Sequence, residues 1–371
     1  MATPTTSSPQ PNATFTDDAA TIITIEMVTA LMNAKAQPPG ALGHVQQVAI
    51  QLCVLQQSLT PTVHAPVCLV FAGDHGITKR GPADGPSAFP REVTELMYKT
   101  VCQGRAAVTV MATALNIPVA CIDVGIDSDR ASSTRVARGT LDMTAGPAMS
   151  LELCQAALQV GRRTASRYID DLGHNVICVG ELGIGNTTSA SALVAAVTNA
   201  AVEDVCGRGT GLDDDGVLRK VRLVQLALAT NAQTIQDDGV LGALAAVGGL
   251  EIAAMCGAML EAGRRRVPVI VDGFISGAAA LVALRLEPDA MAHALFLSHQ
   301  SEEKGASILL HALGGLGAPL HMNMRLGEGT GAVLCVPILQ CAAKLVQDMA
   351  SLQGVIEGTV DVNPASHVAT S

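Results

Sequence analysis

The sequence predicts an α/β fold in which a doubly wound, mostly parallel sheet is flanked by helices. Three observations carry that prediction. Five short apolar runs each end in a turn rich in glycine, aspartate or serine. Stretches with helical spacing lie between them. The composition is 49% hydrophobic but only 2% aromatic, with 36 glycines in 371 residues, which suits thin, closely packed layers. Apolar strands alternating with helices give a parallel sheet because each strand returns to the same edge through a helical crossover.

Taken in order, Ala20–Asn33 and Ala41–Gln57 have helical periodicity and are separated by Pro38-Pro39-Gly40. The first strand is read over Val67–Ala72, running into Gly73-Asp74-His75-Gly76. The second, Val119–Ile122, runs into Asp123-Val124-Gly125. Leu151, Cys154, Leu158, Ala165, Ile169 and Leu172 mark a helix stopped by Gly173. Val176–Val179 is the third strand, Val267–Val271 the fourth and Leu295–Leu297 the fifth. A long apolar helix is expected over Ala332–Leu352. Ligands of such sheets bind beyond the carboxyl ends of the strands, which gathers Asp74, Glu181, Asp272 and Ser298 on one rim.

The chemistry concentrates after the third strand. Glu181-Leu182-Gly183-Ile184-Gly185-Asn186-Thr187-Thr188 reads as a glycine turn that opens a small-residue helix over Ser189–Ala201. Free backbone N–H groups and the positive end of the helix dipole make such a turn an anion site. Glu181 would repel that anion unless it faces something cationic or proton-bearing. The plain alternative is a tight packing turn with Glu181 solvated.

Composition limits the function classes. Net charge is −10, the largest basic cluster is Arg264-Arg265-Arg266, and there are five Phe, two Tyr and no Trp. Nucleic-acid binding, which needs a basic footprint or stacking platforms, is not expected. The uncharged windows Leu182–Val202 and Gly305–Met324 are broken by polar residues, glycines or proline, short of a clean span of roughly 20 apolar residues. No membrane span is therefore predicted. Ten cysteines without a CxxC pair fit buried thiols in a reducing, cytoplasmic setting. Residues 1–18 have neither a charged n-region nor an apolar h-region and read as a disordered tail.

Two further loops stand out. Gly207–Asp215 carries an acidic triplet, read as a helix-capping loop rather than a metal site, because no apolar strand precedes it. Lys220, one turn into the next helix, could add a point charge to a phosphate cradle, or be an ordinary surface lysine. Met324-Arg325-Leu326-Gly327-Glu328-Gly329-Thr330-Gly331 leads into the last long helix. Glu328 between two glycines is expected to be exposed and ionised, in the correct state for a general base, or to cap that helix.

Together these stretches resemble the nicotinate-nucleotide–dimethylbenzimidazole phosphoribosyltransferase family over about Thr21 to Leu352. The motifs are AGDHGIT at Ala72–Thr78, SAFPREVT at Ser87–Thr94, GELGIGNTTSASA at Gly180–Ala192 and GRGTGLDDDG at Gly207–Gly216. They continue with VGGLEIAAMCGAML at Val247–Leu260, PVIVDGFISGAAAL at Pro268–Leu281, SHQSEEKGA at Ser298–Ala306 and MRLGEGTGA at Met324–Ala332. Each is weak alone; in this order they are specific.

The resemblance implies transfer of phosphoribose from nicotinate mononucleotide to 5,6-dimethylbenzimidazole, with inversion at the anomeric carbon, for cobalamin nucleotide-loop assembly. It implies no cofactor and no metal. Glu328 would take the azole proton, and Glu181 would orient the base or steady charge as nicotinate leaves. Gly183, Gly185, Asn186, Thr187, Thr188 and Lys220 match the phosphate and ribose site. Ser87, Ala88, Phe89, Met324 and Leu326 match the slot for the flat base, with Asp272 and Ser298 as support behind Glu328. It further implies a homodimer and a domain over 19–355: a core sheet over about 66–300 and a small helical lobe from 19–60 and 303–355, with a tail at 356–371. Arg91 stands where the family often has Gln, which leaves the acceptor open; adenine or a phenolic base would be alternatives. A non-catalytic nucleotide-binding protein and a nucleotide hydrolase are the rival functions.

Overall fold

The structure, a computed structural model, describes residues 22–314 and 317–360. The tail expected over 1–18, and residues 361–371 of the C-terminal tail, lie outside the described residues.

Five parallel strands form one sheet in the order β2-β1-β3-β4-β5. They are β1 (Pro66–Gly73), β2 (Val119–Gly125), β3 (Val176–Leu182), β4 (Val269–Val271) and β5 (Leu295–Leu297). Both β1 and β3 are buried along their whole length, as strands covered on both faces must be. The β1–β3 ladder runs from Pro66 opposite Val176 to Ala72 opposite Leu182. This carries β3 beyond the Val179 end read from the sequence, so Glu181 is the penultimate residue of a strand, opposite Phe71, rather than part of a loop.

Helices cover both faces: α1 (Ile25–Asn33), α2 (Gly43–Gln56), α3 (Val93–Cys102), α4 (Ala107–Ala114), α5 (Leu151–Ser166) and α6 (Asn186–Thr198). They continue with α7 (Asp214–Thr230), α8 (Ala232–Val247), α9 (Leu250–Arg264), α10 (Phe274–Leu286), α11 (Ala306–Leu313), α12 (Thr330–Asp348) and α13 (Leu352–Glu357). Local signals set the ends. Thr24 caps α1 by accepting from Met27 N–H, which starts the helix later than its periodicity implies. Asp213 caps α7 through Gly216 N–H at 2.8 Å, so the acidic triplet serves as a cap. The α6 helix begins three residues before Ser189, which makes Asn186-Thr187-Thr188 its first turn.

The first and last described helical segments meet beside the sheet. α2 packs on α12, and Lys35 Nζ donates to Met349 O at 2.8 Å while Leu352 N–H bonds Ala34 O at 2.9 Å. α12 is long and apolar enough by composition to cross a membrane, but it packs against β3, β4 and α2 and more than half of it is buried.

Candidate active site

The carboxyl ends of β3 and β4 open onto a cavity of about 340 Å³. Glu181, Asp272 and Glu328 line its floor, and Asn186 and Thr187 bring in the first turn of α6. Gly209 and Thr210 supply the polar wall opposite.

Glu328 reaches the cavity because three consecutive residues take left-handed backbone, with φ of 84° at Gly327, 63° at Glu328 and 90° at Gly329. A non-glycine residue there carries roughly 1–2 kcal/mol of strain. The surrounding structure holds it. The loop lies so close against β3 that a Cβ on Gly180 would collide with the Glu328 carbonyl. Asp272, just past β4, grips the start of α12: its carboxylate accepts from the N–H groups of Gly329 (3.2 Å), Gly331 (2.7 Å) and Ala332 (3.2 Å).

Glu328 is 5% exposed, which corrects the expectation of an exposed carboxylate. Flanking glycines remove local shielding, but α4 supplies it from a distance: Val108 N–H donates to Glu328 Oε2 at 3.3 Å. The helix dipole it meets is thus that of α4. Burial pushes the Glu328 carboxyl above its ordinary value, Asp272 adds to this, and the Val108 N–H opposes it. Glu181 is raised further, by burial first and then by the charges of Asp272 and Glu251; a hydrogen bond from Asn186 Nδ2 opposes. Asp272 is raised by burial despite His299 and its three N–H donors. Four buried carboxylates, these three and Glu303, line one cavity. Only His299 Nε2, 3.7 Å from Asp272 Oδ1, is within ion-pair distance of any of them among the described residues. Such a site holds a proton when empty and favours a cation when filled.

The other end has the opposite character. Gly185, at φ 92°, ends the turn, and the first turn of α6 faces the cavity through Asn186 and Thr187. Lys220 lies fully buried behind it, donating from Nζ to Thr187 Oγ1 at 3.0 Å and Gly207 O at 3.3 Å. No side-chain carboxylate lies within ion-pair distance of it among the described residues. Burial pushes its amine down, with Cys206 and Glu303 opposing. An unpaired buried ammonium under a helix N-terminus is a place for an anion.

The other sequence-predicted residues divide. Gly183, Phe89 and Leu326 line the cavity. Gly185 and Thr188 lie behind the turn, and the fully buried Thr188 Oγ1 has no partner. Ser87, Ala88 and Met324 do not line the cavity. Ser87 Oγ accepts from Phe89 N–H to close its own turn, Ala88 faces solvent, and the loop holds Met324 through its backbone carbonyl. Ser298 is also turned away, with Oγ donating to Asp272 O at 2.9 Å, so it steadies Asp272 without reaching the cavity.

Sequence reading missed the apolar wall of Val93, Met97, Ile184, Phe274 and Ile275, and the polar Ser301, His299 and Arg325. Arg325 Nη1 donates to Gly209 O at 2.6 Å and ties the Glu328 loop to the Gly207–Gly211 loop. Ser301 lies in the same SHQS motif as Ser298, three residues on, and is the serine of that pair that faces the cavity. Among the described residues no group of three or more His, Cys, Asp or Glu side chains is arranged to hold a metal ion.

Comparison with known proteins shows the family. A family model described as Phosphoribosyltransferase matches residues 23–355. A nicotinate-nucleotide–dimethylbenzimidazole phosphoribosyltransferase of Chloroflexus aurantiacus is 42% identical over 320 residues, 85% of this chain and 89% of the relative. One from a Bradyrhizobium species is 44% identical over 332 residues, 87% of this chain and 92% of the relative. The crystal structure of CobT from Thermus thermophilus superposes with a TM-score of 0.83 at 37% identity, covering 89% of this chain and 98% of that one. With its all-parallel sheet and its match along nearly the whole length, the chain belongs to the nicotinate-nucleotide–dimethylbenzimidazole phosphoribosyltransferase family, which are pentosyltransferases.

Proposed function

We propose that this protein transfers the phosphoribosyl group of nicotinate mononucleotide to 5,6-dimethylbenzimidazole, giving α-ribazole 5′-phosphate and nicotinate for the lower ligand of cobalamin. The observation that carries the reading is one cavity lined by the first turn of α6, with a buried lysine behind that turn, and by the buried carboxylates Glu181, Asp272 and Glu328. The substrate has a matching asymmetry: a phosphate dianion at C5′ and a cationic pyridinium at C1′.

Pyridinium is already a good leaving group, so the residues have to align the acceptor and remove one proton. Phosphate held by the α6 turn places C1′ toward Glu181 and Glu328. The flat base enters between Phe89, Leu326 and the apolar wall, and Glu328 takes its N–H proton as the other nitrogen attacks from the face opposite nicotinate. Burial, which raises Glu328, makes it a stronger base provided that it is ionised. Glu181 faces the developing positive charge on the ribose. Glu181 gives up its proton as the cationic substrate enters, because a positive neighbour reverses the repulsion that kept it neutral.

We further infer a cytoplasmic homodimer. The ten free cysteines are at home in a reducing compartment, and partly exposed apolar residues such as Phe89 and Leu326 at the mouth would be covered by a second subunit. The direct test mixes protein, nicotinate mononucleotide and 5,6-dimethylbenzimidazole and looks for α-ribazole phosphate by chromatography. Nicotinate released equally fast without any base would make the protein a hydrolase instead.

A further inference from the structure

Below the phosphate end of the cavity lies a cluster that the reaction above does not use. His75 Nδ1 is 2.9 Å from Ser189 Oγ, and His75 Nε2 is 2.7 Å from Glu251 Oε1. Ser189 and His75 are 1% exposed and Glu251 is fully buried. The three come from the β1 turn, the second turn of α6 and the first turn of α9. The chain makes room for them: a Cβ on Gly73 would lie 2.7 Å from Glu251 Oε2, and one on Gly249 would lie 2.5 Å from His75 Cε1.

The spacing is that of a serine–histidine–carboxylate triad, but all three are shut off from solvent and none lines the candidate site cavity. A nucleophile without access does no chemistry. The charge is the informative part. Glu251 Oε2 has no hydrogen-bond partner, and a buried carboxylate so placed needs a cation beside it. His75 supplies it: burial alone would push the imidazole down, but the charge and hydrogen bond of Glu251, with Asp74, outweigh burial and raise it. Asp74 from its own strand end and Glu251 from α9 are the charged groups that face the ring, while α6 presents the neutral Ser189.

We propose that Ser189, His75 and Glu251 form a buried brace that fixes the first turn of α6 and, through protonated His75, cancels the Glu251 charge beneath it, making His75 a positioning residue for the substrate phosphate. The brace rests on the reading that this turn holds phosphate. His75 lies beside the turn: a Cβ on Gly185 would be 3.6 Å from His75 Cβ, and the ring reaches α6 through Ser189 Oγ. Loss of its proton removes a charge from behind the helix N-terminus and leaves Glu251 without a counter-ion.

The test is KM for nicotinate mononucleotide and, separately, for the base, measured from pH 7 to 9, where the substrate phosphate is already a dianion. Wild type, Glu251→Gln and His75→Asn are compared with Lys220→Met, and inorganic phosphate serves as a competing probe. In wild type, KM for the nucleotide rises as His75 loses its proton, with KM for the base unchanged. In Glu251→Gln the rise moves to lower pH, so that just below the wild-type rise nucleotide KM and the phosphate inhibition constant are about tenfold weaker than wild type. Glu251 is not among the groups that shift Lys220, but it does raise Glu181, so the comparison is repeated in a Glu181→Gln background and the displacement is assigned to His75 where it persists there. A flat wild-type profile overturns the brace and needs no variant to fold. So does a Glu251→Gln profile that coincides with wild type, or one that weakens both substrates equally. If Lys220→Met weakens nucleotide binding and Glu251→Gln does not, the brace falls and the phosphate reading stands. If neither weakens it, the phosphate reading falls as well.

Discussion

Two turns of this molecule are built alike and used in opposite ways. Each ends in a left-handed glycine, Gly185 at φ 92° before α6 and Gly329 at φ 90° before α12, and neither helix has a side-chain cap from its own N-cap residue. At α12 the N–H groups of Gly329, Gly331 and Ala332 are taken by Asp272, an anion that the protein itself provides. At α6 no carboxylate of the described residues bonds the backbone of the first turn, and a buried ammonium sits behind it. One helix start is therefore closed and serves as a rigid mount for Glu328. At the other, the N–H groups of Asn186 and Thr188 turn back to Gly183 O (3.2 Å) and Gly185 O (2.9 Å), and no carboxylate of the described residues occupies the turn. The sign of the group behind the turn decides the use, and the backbone alone does not.

The largest effect should come from the mounted group itself. Glu328→Gln keeps the hydrogen bond from Val108 and the volume, but cannot accept a proton. The turnover number is expected to fall about 10²–10⁴-fold with little change in melting temperature. A near-wild-type turnover number would remove Glu328 from the chemistry. The mount comes next. In Asp272→Asn the amide turns a donor toward N–H groups that need acceptors, and an unsatisfied buried group costs about 1–3 kcal/mol. Denaturant titration should show a loss of that size, and activity should fall with it as α12 and Glu328 lose their fixed start. If stability is unchanged, Asp272 is not what closes this turn.

How far the sequence foretold this contrast varies with the distance over which each interaction acts. The strands and both glycine turns were legible because apolar runs and left-handed glycines are local. The parallel sheet followed from alternation, and Glu328 could be singled out because glycines flank it in the chain. What was not legible lies between residues far apart. Asp272 grips an amide 57 residues on, and His75 pairs with a carboxylate 176 residues away. The burial of Glu328 was missed because Val108, which covers it, belongs to a helix 220 residues earlier. Of the residues expected for the base slot, Phe89 and Leu326 line the cavity while Ser87, Ala88 and Met324 do not, and the rest of the cavity's apolar wall comes from α3 and α10, through Val93, Met97, Phe274 and Ile275.

The turn before α6 gives the next test. Lys220→Met replaces a buried, unpaired ammonium by a chain of similar shape, so KM for nicotinate mononucleotide should rise about tenfold or more while KM for the base holds. Melting temperature should stay level or rise, since the charge is costly to bury when the site is empty. A fall in stability with unchanged KM would mean that the lysine is a structural bond to Thr187 and Gly207 and nothing more.

The smallest effect, and the one with the least obvious sign, belongs to Glu181. Its carboxyl is raised well above the ordinary value, chiefly by burial and then by Asp272 and Glu251, so the empty fold binds a proton that the unfolded chain releases at lower pH. The folded state is therefore stabilised at acid pH relative to neutral by this group, and that stability is lost as pH climbs from the unfolded carboxylate value toward the raised one. Glu181→Gln keeps the acceptor for Asn186 and has no proton to lose. It should melt above wild type at pH 8, by about 2–4 °C for each kcal/mol gained, and the gap should close toward pH 5. Wild type should also release a proton on binding nicotinate mononucleotide, visible as a buffer-dependent binding enthalpy that Glu181→Gln lacks. If the gap is absent or opens toward acid instead, Glu181 is ionised in the empty cavity, and the carboxylate end of the site would have to find its compensating charge somewhere other than in the substrate.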